Sequence, residues 1–343
     1  MEEISMDLNR YRFYRKYGYF QTPSTLQVEI TVRCPLNCPQ CYKVYSGPGD
    51  MKLELFKKVI EEAECLGVKS ITLNGGEPLM HPNFCEMVNL TIDSGIECGT
   101  IISGWGLDET ILNALPKDKF HLFLSLNGST EEVNGRSRDG YKYAIKAAAL
   151  LNYRKFSYNI NWVARHDNVK DLPDMIALSQ KYGAGKINVV LNKLTGSMEM
   201  DSPLTWQDYD ILKKVIETDP ERFLVQDCYD QLFRILKFPQ NPLYGCTAGI
   251  YNCAIDINGY FAPCTHLMYK EQHDNIRDYW QTSETLKVLR ARRFMDDCKD
   301  CSIVKNCHFC RAQSKLTHDD LGKGLKDCYL KEYCMMRKEG ENR

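Results

Sequence analysis

Cys34-Pro-Leu-Asn-Cys38-Pro-Gln-Cys41-Tyr42 is the stretch around which the rest of the chain is organised. It follows an alternating apolar run, residues 26–32, which predicts a strand that ends just before the first cysteine. Three thiolates at this spacing on one loop can bind a four-iron cube and leave one iron without a protein ligand. An open coordination position is typical of a reactive metal site. The alternatives are a zinc knuckle without its fourth ligand, or a chance match in a chain with 16 cysteines.

A second motif, Leu73-Asn-Gly75-Gly76-Glu77-Pro78, follows another strand-like run at residues 70–73. Its two glycines let the backbone come close to a ligand, and its carboxylate can bind an ammonium group. Such a turn is weak evidence alone. It gains weight because both motifs end successive predicted strands.

The cysteine triplet and the Gly-Gly-Glu-Pro turn together resemble the radical S-adenosylmethionine (radical SAM) superfamily. The resemblance implies that the open iron chelates the amino and carboxylate groups of S-adenosylmethionine. One-electron reduction then gives a 5′-deoxyadenosyl radical, which removes a hydrogen atom from the substrate. A flavodoxin- or ferredoxin-type protein is the electron donor that the resemblance implies.

Length and composition limit the remaining choices. A chain of 343 residues is long enough for two domains, or for one large barrel with an appendage. Lys and Arg total 44 against 45 Asp and Glu, which predicts neither nucleic acid nor an anionic membrane as a partner. No signal-like N-terminus and no run of about 18 apolar residues is present, so we expect a cytoplasmic protein. Disulfides are rare there, and the cysteines are better interpreted as metal ligands.

The chain divides into an N-terminal extension (1–24), a core of alternating strands and helices (25–220) and a cysteine-rich tail (221–343). Aromatic and basic residues at 10–20 could stack on nucleic acid, but the balanced charge favours packing against the outside or open edge of the core. Strands are predicted at 26–32, 70–73, 97–102, 120–126, 158–163 and 186–191, and helices at 51–66, 82–94, 107–114, 140–152, 170–182 and 205–217. This α/β pattern predicts a parallel sheet in a partial (β/α)6 TIM-like barrel, with the chemistry at the C-terminal strand ends.

Further cofactor ligands follow from the resemblance. It places Ser125 and Arg138 on the carboxylate of S-adenosylmethionine and Ser103 near its ribose or methionine part. Arg136 and Arg165 compete with Arg138 for that role. Residues 189–191 are expected to line the adenine. The full set expected to bind the cofactor is Gly75, Gly76, Glu77, Pro78, Ser103, Ser125, Arg138, Val189 and Leu191. Asn127 departs from the Asp that relatives usually have.

The tail combines a predicted hairpin at 255–264, which has an Asn-Gly turn, with a dense run of cysteines. This pattern resembles the SPASM domain, which implies two auxiliary four-iron clusters. The first would be bound by Cys246, Cys253, Cys264 and Cys310, and the second by Cys298, Cys301, Cys307 and Cys328. A zinc ribbon is the alternative, but the two Cys-x2-Cys pairs are too close together for one.

We expect Cys65, Cys85 and Cys98 to be buried apolar side chains. Cys228 and Cys334 have no assignment, and a thiol near the substrate could donate a hydrogen atom.

Enzymes that carry such a tail mostly modify peptides, so the leading expectation is oxidative modification, such as a cross-link, of a ribosomally made peptide. The alternatives are an oxidoreductase acting on tetrapyrrole or haem-precursor side chains, a sulfatase-type protein maturase, or an electron-transfer or scaffold protein without radical chemistry. Thr265 stands where maturases usually have a catalytic Asp, and His266 is the candidate to remove a proton instead.

Because 33 residues precede Cys34, we expect a separate leader-binding protein or a small substrate rather than a built-in leader-binding domain.

Overall fold

A computed structural model describes residues 8–43, 49–117, 119–192, 204–224, 246–267, 269–291 and 310–312. The strands are β1 Thr25–Thr31, β2 Ser70–Gly75, β3 Glu97–Ile102, β4 Phe120–Ser125, β5 Asn159–Ala164, β6 Ile187–Leu191, β7 Phe223–Leu224, β8 Asn252–Ile255 and β9 Phe261–Ala262. The helices are α1 Leu8–Tyr17, α2 Leu53–Leu66, α3 Phe84–Asp93, α4 Glu109–Ala114, α5 Glu131–Gly135, α6 Tyr141–Tyr153, α7 Leu172–Lys181, α8 Trp206–Thr218, α9 Ile276–Thr282 and α10 Glu284–Arg290. Short 3-10 turns span Pro78–Met80, Val169–Asp171 and Pro220–Arg222.

All described strands belong to one sheet, in the order β7-β6-β5-β4-β3-β2-β1-β8-β9. Strands β1 to β6 are parallel and follow the chain order, with helices between them. The predicted α/β class and parallel sheet are confirmed. The sequential order is consistent with a partial (β/α)6 barrel.

The two faces of the sheet differ in chemistry because successive side chains of a strand point to opposite sides. In β1, Leu26, Val28 and Ile30 are almost fully buried and belong to the apolar core, to which α2 also contributes. Gln27 and Glu29, between them, face the other side. The sheet therefore separates an apolar, helix-covered face from a polar inner face.

The predicted hairpin is present as β8 and β9, which pair antiparallel. Asp256 accepts hydrogen bonds through Oδ1 from the backbone N–H groups of Asn258 (2.9 Å) and Tyr260 (3.0 Å), and Gly259 has the positive φ that the turn requires. Strand β8 pairs parallel with β1, so the tail hairpin extends the barrel sheet directly.

The N-terminal segment packs onto the core through a helix, α1, that the sequence pattern did not predict. Arg10 Nη2 donates hydrogen bonds to Thr22 Oγ1 (2.8 Å) and to the Leu66 carbonyl oxygen (3.0 Å). Buried Phe20 accepts a hydrogen bond at its carbonyl oxygen from Trp280 Nε1, 2.8 Å away. The segment thus joins the tail to the barrel. Within the described ranges, no helix combines the length and the apolar character that crossing a membrane demands.

Candidate active site

The two sequence motifs meet through their backbones. The N–H of Gly76 donates to the Thr31 carbonyl oxygen (2.9 Å), and the N–H of Glu77 donates to that of Arg33 (2.8 Å). A Cβ on Gly75 would lie 2.1 Å from the Thr31 oxygen, and one on Gly76 would lie 2.1 Å from the Arg33 oxygen. Gly75 also has φ of 144°. The lack of side chains at Gly75 and Gly76 therefore lets the backbone of Thr31 and Arg33, where the cysteine loop begins, lie against this turn. The sequence motif was interpreted instead as a turn whose glycines let the backbone come close to a ligand.

The base of the cysteine loop is fixed by an ion pair. Arg33 donates through Nε and Nη2 to the two carboxylate oxygens of Asp50, at 3.0 and 2.7 Å. Thr31 Oγ1 donates to the same carboxylate at 2.6 Å. A two-point contact of this kind sets the direction in which the chain leaves β1.

Glu77 is 1% exposed, and its carboxylate lies against the residue that follows β3. Oε2 accepts hydrogen bonds from both the backbone N–H (2.8 Å) and the hydroxyl of Ser103. Burial raises the pKa of Glu77 to about 7, although these hydrogen bonds oppose the shift. A buried carboxylate of this kind gains from a cation placed beside it, as an ammonium group would be. Ser103 orients Glu77 directly, a contact that the sequence did not predict.

Arg138 lies near both motifs. Its charge lowers the pKa of Cys38 against the larger, raising effect of burial, and it lowers the pKa of Glu77 in the same way. Its Nε is buried and has no hydrogen-bond partner among the residues that the structure describes. A guanidinium edge left without an acceptor fits a carboxylate ligand. Glu77 and Arg138 together match the ammonium and carboxylate ends of an amino acid.

The competing arginines are already engaged within the protein. Arg136 is exposed and donates to Glu132 (3.0 Å) and to the Asp167 carbonyl oxygen (2.8 Å). Arg165 is buried and makes a two-point ion pair with the Asp167 carboxylate, at 3.0 and 3.1 Å. The structure therefore favours Arg138 for the carboxylate.

Asn127 links the strand ends to the cysteine loop. Its Nδ2 donates to Gln40 Oε1 (2.8 Å) and to Ser137 Oγ (2.9 Å), and its Oδ1 accepts from the Val163 N–H (3.1 Å). Because a carboxylate cannot donate, an Asp in its place would keep these two contacts only if Gln40 turned its amide and Ser137 its hydroxyl to become the donors. Ser125, two residues earlier, is 3% exposed and pairs in register with Asn161 of β5.

The three loop cysteines lie close enough to interact electrostatically. Burial raises the pKa of Cys34 to about 11, and the charges of Glu77, Cys38 and Cys41 add to the effect. No three His, Cys, Asp or Glu side chains in the described part of the chain converge on a single metal ion. A cube binds each cysteine to a different iron, so such convergence is not needed. The donor set of three thiols beside a cation fits a cluster with one open iron.

The structure places the predicted adenine-lining residues differently. Val189 is fully buried in the apolar core and pairs in register with Trp162, which is also fully buried. Leu191 has the same parity in β6 as Val189, and its side chain lies outside the described part of the structure. The inner face of β6 instead carries Val190 and Asn188, whose Nδ2 donates to Asn161 Oδ1 (2.8 Å). We therefore expect Asn188 and Val190, rather than the side chain of Val189, to line the adenine.

His266 lies against the cysteine loop, with its ring 4.1 Å from that of Tyr42 between centroids. The preceding residue, Thr265, is 5% exposed and donates its N–H to Gln27 Oε1 (3.3 Å). The contact brings the end of the tail hairpin next to the residue that follows Cys41. His266 remains a candidate for proton removal.

Lys43 is a residue that sequence reasoning missed. It is buried two positions after Cys41 and forms an ion pair with Glu29 on the inner face of β1. Burial and the Lys270 charge lower the pKa of Lys43 to about 7, while Asp256 acts in the opposite direction. Glu29, a charged residue inside an apolar strand pattern, was the available signal.

The predicted auxiliary ligands are only partly brought together. Cys246, Cys264 and Cys310 interact electrostatically, and burial with the other two thiols raises the pKa of Cys264 to about 12. Cys253 is fully buried in β8 and belongs to the apolar core.

Among the unassigned cysteines, Cys98 is buried as expected, Cys85 is half-buried and Cys65 is exposed, contrary to expectation. The predicted second-cluster ligands Cys298, Cys301, Cys307 and Cys328, with Cys228 and Cys334, lie outside the described residues.

Sequence comparisons relate this chain to proteins of known function. Residues 28–178 match the model of the Radical SAM superfamily. A PqqA peptide cyclase of Gluconobacter oxydans is 30% identical over 181 residues, which span only about half (51%) of each chain. A PqqA peptide cyclase of Ruegeria pomeroyi is 26% identical over 318 residues, 85% of this chain and 83% of that protein. An AdoMet-dependent heme synthase of Methanosarcina barkeri is 23% identical over 346 residues, 92% of this chain and 97% of that protein.

Among solved structures, Streptococcus suis SuiB bound to its precursor peptide SuiA superposes with a TM-score of 0.78. The two chains are 17% identical, and the match covers 94% of this chain and 79% of SuiB. At that identity the likeness establishes a shared fold.

Proposed function

We propose that the chain is an enzyme that modifies a ribosomally made peptide by radical chemistry, and the match of residues 28–178 to the Radical SAM superfamily model supports this proposal. Cys34, Cys38 and Cys41 would bind the four-iron cluster, and S-adenosylmethionine would bind beside it. Bound there, the pair supplies a carbon radical that removes a hydrogen atom from the substrate.

The residues around the loop account for binding and orientation of the cofactor. Glu77, oriented by Ser103, accepts the cofactor ammonium, and Arg138 donates to the cofactor carboxylate. The observation that carries this assignment is the buried Arg138 Nε, which has no acceptor within the described residues and lies near both Cys38 and Glu77. Ser125, Asn188 and Val190 face the same interior and would line the rest of the cofactor.

A peptide substrate is supported by the PqqA peptide cyclase similarity, which extends over most of the chain for the Ruegeria pomeroyi protein. The substrate would enter between the cysteine loop and the tail hairpin, where Tyr42 contacts His266. His266 would accept a proton from the modified residue there.

A haem-precursor substrate is the second candidate. The similarity to the heme synthase covers 97% of that protein, the widest coverage among the three relatives compared. That breadth favours a shared layout of core and tail.

A direct test uses the reconstituted protein with dithionite and S-adenosylmethionine under argon. We expect 5′-deoxyadenosine to form and, when a candidate precursor peptide is added, that peptide to lose hydrogen as measured by mass spectrometry. A porphyrin that loses side-chain carboxyl groups while the peptide stays unchanged would replace the peptide proposal with the haem-precursor one. A variant with Cys34, Cys38 and Cys41 all replaced by Ala is the matched control.

A further inference from the structure

We propose that Asn134 is a positioning residue for Arg138, because it holds the backbone of that arginine in the place from which the guanidinium reaches the carboxylate of S-adenosylmethionine. The proposal rests on the proposed function only in that Arg138 binds this carboxylate. Asn134 acts through Arg138 and not by contact with the cofactor.

Both backbone groups of Arg138 are hydrogen-bonded to this one residue. The Arg138 N–H donates to the Asn134 carbonyl oxygen at 2.9 Å, and the Arg138 carbonyl oxygen accepts from Asn134 Nδ2 at 2.7 Å. Asn134 Oδ1 in turn accepts from the N–H of Asn127, 2.8 Å away, in the loop that follows β4. One side chain therefore joins Arg138 to the end of the strand that carries Ser125.

The short helix α5 brings Asn134 to this position. Asn134 is 1% exposed, and its N–H donates to the Thr130 carbonyl oxygen at 3.0 Å. The helix packs tightly on the loop after β4, since a Cβ on Gly128 would lie 2.4 Å from the Asn134 nitrogen and 2.7 Å from the Val133 carbonyl carbon. The glycine therefore lets α5 approach closely enough for Asn134 to reach Asn127.

The Arg138 side chain gives an independent reason for such support. Its Nε is buried and lacks a hydrogen-bond partner within the described ranges. An arginine has several rotatable bonds, and without an acceptor at this edge the protein leaves the side chain less restrained before a ligand binds. Fixing the backbone of the residue limits the positions that the guanidinium can take, and so reduces the entropy lost when a carboxylate binds.

The residues on either side of Arg138 are bonded to the cysteine loop. The Gln40 N–H donates to the Ser137 carbonyl oxygen at 3.1 Å, and the Asn37 N–H donates to Asp139 Oδ2 at 2.9 Å. Arg138 thus lies between two residues that contact the loop expected to bind the cluster. Loss of one further support should therefore loosen the guanidinium without releasing the cysteine loop.

The test compares two ligands that differ in the carboxylate alone, S-adenosylmethionine and its decarboxylated form. Binding of each is measured by anaerobic calorimetry to the full-length protein reconstituted with iron and sulfide. We expect Asn134→Ala to raise the Kd for S-adenosylmethionine about tenfold, and that for the decarboxylated form less than about twofold. Arg138→Ala should show the same selectivity. Adding Asn134→Ala to it should raise the Kd no further, because the two residues act on one contact.

Equal losses for the two ligands in Asn134→Ala would overturn the proposal. An unchanged Kd for S-adenosylmethionine, or effects of the two substitutions that add, would overturn it as well. If Arg138→Ala weakens both ligands equally, the carboxylate assignment fails and the proposal fails with it. Failure of the expected selectivity in Asn134→Ala alone leaves the proposed function standing.

Asn159→Ala is the matched control. Its Oδ1 accepts from the Lys186 N–H at 2.8 Å at the start of β5, at the other end of the sheet from the cysteine loop. We expect this variant to bind both ligands as the unmodified protein does, and a selective loss for S-adenosylmethionine in it would overturn the proposal. Circular dichroism checks folding. If Asn134→Ala fails to fold, Asn134→Ser, which keeps one hydroxyl for hydrogen bonding, replaces it with the same expected selectivity.

Discussion

Arg138 lies close enough to Glu77 to lower the pKa of its buried carboxyl group, although the two residues follow different strands, β4 and β2. The same guanidinium lowers the pKa of Cys38 in the loop that follows β1. Three strand ends therefore contribute to one site, as expected for a parallel sheet whose carboxyl ends meet at one edge. This arrangement places a cation and a carboxyl group beside three thiols, where the proposed amino-acid cofactor would bind.

Replacing Glu77 by Gln should weaken S-adenosylmethionine binding. Gln keeps the acceptor oxygen that Ser103 needs but removes the charge, and a charge-assisted hydrogen bond contributes about 1.5–3 kcal/mol. We expect about a 10- to 100-fold higher Kd by anaerobic calorimetry, with iron content unchanged. Glu86→Gln, at an exposed position on α3, is the control. Equal affinity of the Glu77→Gln and unmodified proteins would mean that the turn has only a structural role.

Cofactor affinity should also depend on pH through Glu77. Since its pKa is about 7 in the free protein, binding of an ammonium below that pH requires release of one proton. Affinity should rise roughly tenfold per unit between about pH 5 and 6.5 and level off above about pH 7. The Glu77→Gln variant should lack this slope, and an equal slope in both proteins would assign it to another group.

The sign is opposite for stability of the cofactor-free protein. A carboxyl group whose pKa is raised from 4.5 to about 7 binds its proton more tightly in the folded than in the unfolded state. The folded state should therefore lose stability as the pH rises from 4.5 to 7, by about 3 kcal/mol in total. Urea unfolding of the unmodified and Glu77→Gln proteins across this range measures the difference. A constant difference between the two proteins would contradict this assignment.

Gly76→Ala should damage both fold and site. A Cβ there would lie 2.1 Å from the Arg33 oxygen and 2.5 Å from the Arg33 carbonyl carbon, neither of which can move without moving the cysteine loop. We expect a loss of about 1–3 kcal/mol in the free energy of unfolding, together with reduced iron at the loop cluster. Gly135→Ala, where a Cβ meets nothing within 4 Å, is the matched control. Full iron content in Gly76→Ala would show that the loop tolerates the displacement.

His266→Ala should lower substrate conversion far more than cofactor cleavage, because the role proposed for His266, whose ring packs against Tyr42, is to remove a proton from the substrate. We expect about a 10²- to 10⁴-fold loss if His266 is the general base, with 5′-deoxyadenosine still formed. His266→Phe keeps an aromatic ring packed against Tyr42 and so separates proton transfer from packing. Normal conversion by His266→Phe would remove His266 from the chemistry.

The sequence predicted the six parallel strands of the core well because buried strands alternate with amphipathic helices. It also identified the loop motifs, whose residues lie close together along the chain. Two local patterns were too short to decide a side-chain direction. The run 189–191 is apolar throughout and does not reveal that Val190 is the inward residue. Cysteine spacing likewise does not reveal that Cys253 faces the core, because the start of β8 sets its direction.

Other features depend on contacts between distant parts of the chain. The need for Gly75 and Gly76 arises from the neighbouring backbone of Thr31 and Arg33, which no local pattern records. The pairing of Lys43 with Glu29 likewise depends on how the cysteine loop folds over the inner face of the sheet.

The central claim is that Cys34, Cys38 and Cys41 bind the cluster at which S-adenosylmethionine is cleaved. The most direct measurement is 5′-deoxyadenosine formed under dithionite by the reconstituted protein and by the variant with all three cysteines replaced by Ala. We expect the variant to form no 5′-deoxyadenosine while it keeps its auxiliary iron. Undiminished 5′-deoxyadenosine formation by that variant would contradict the account.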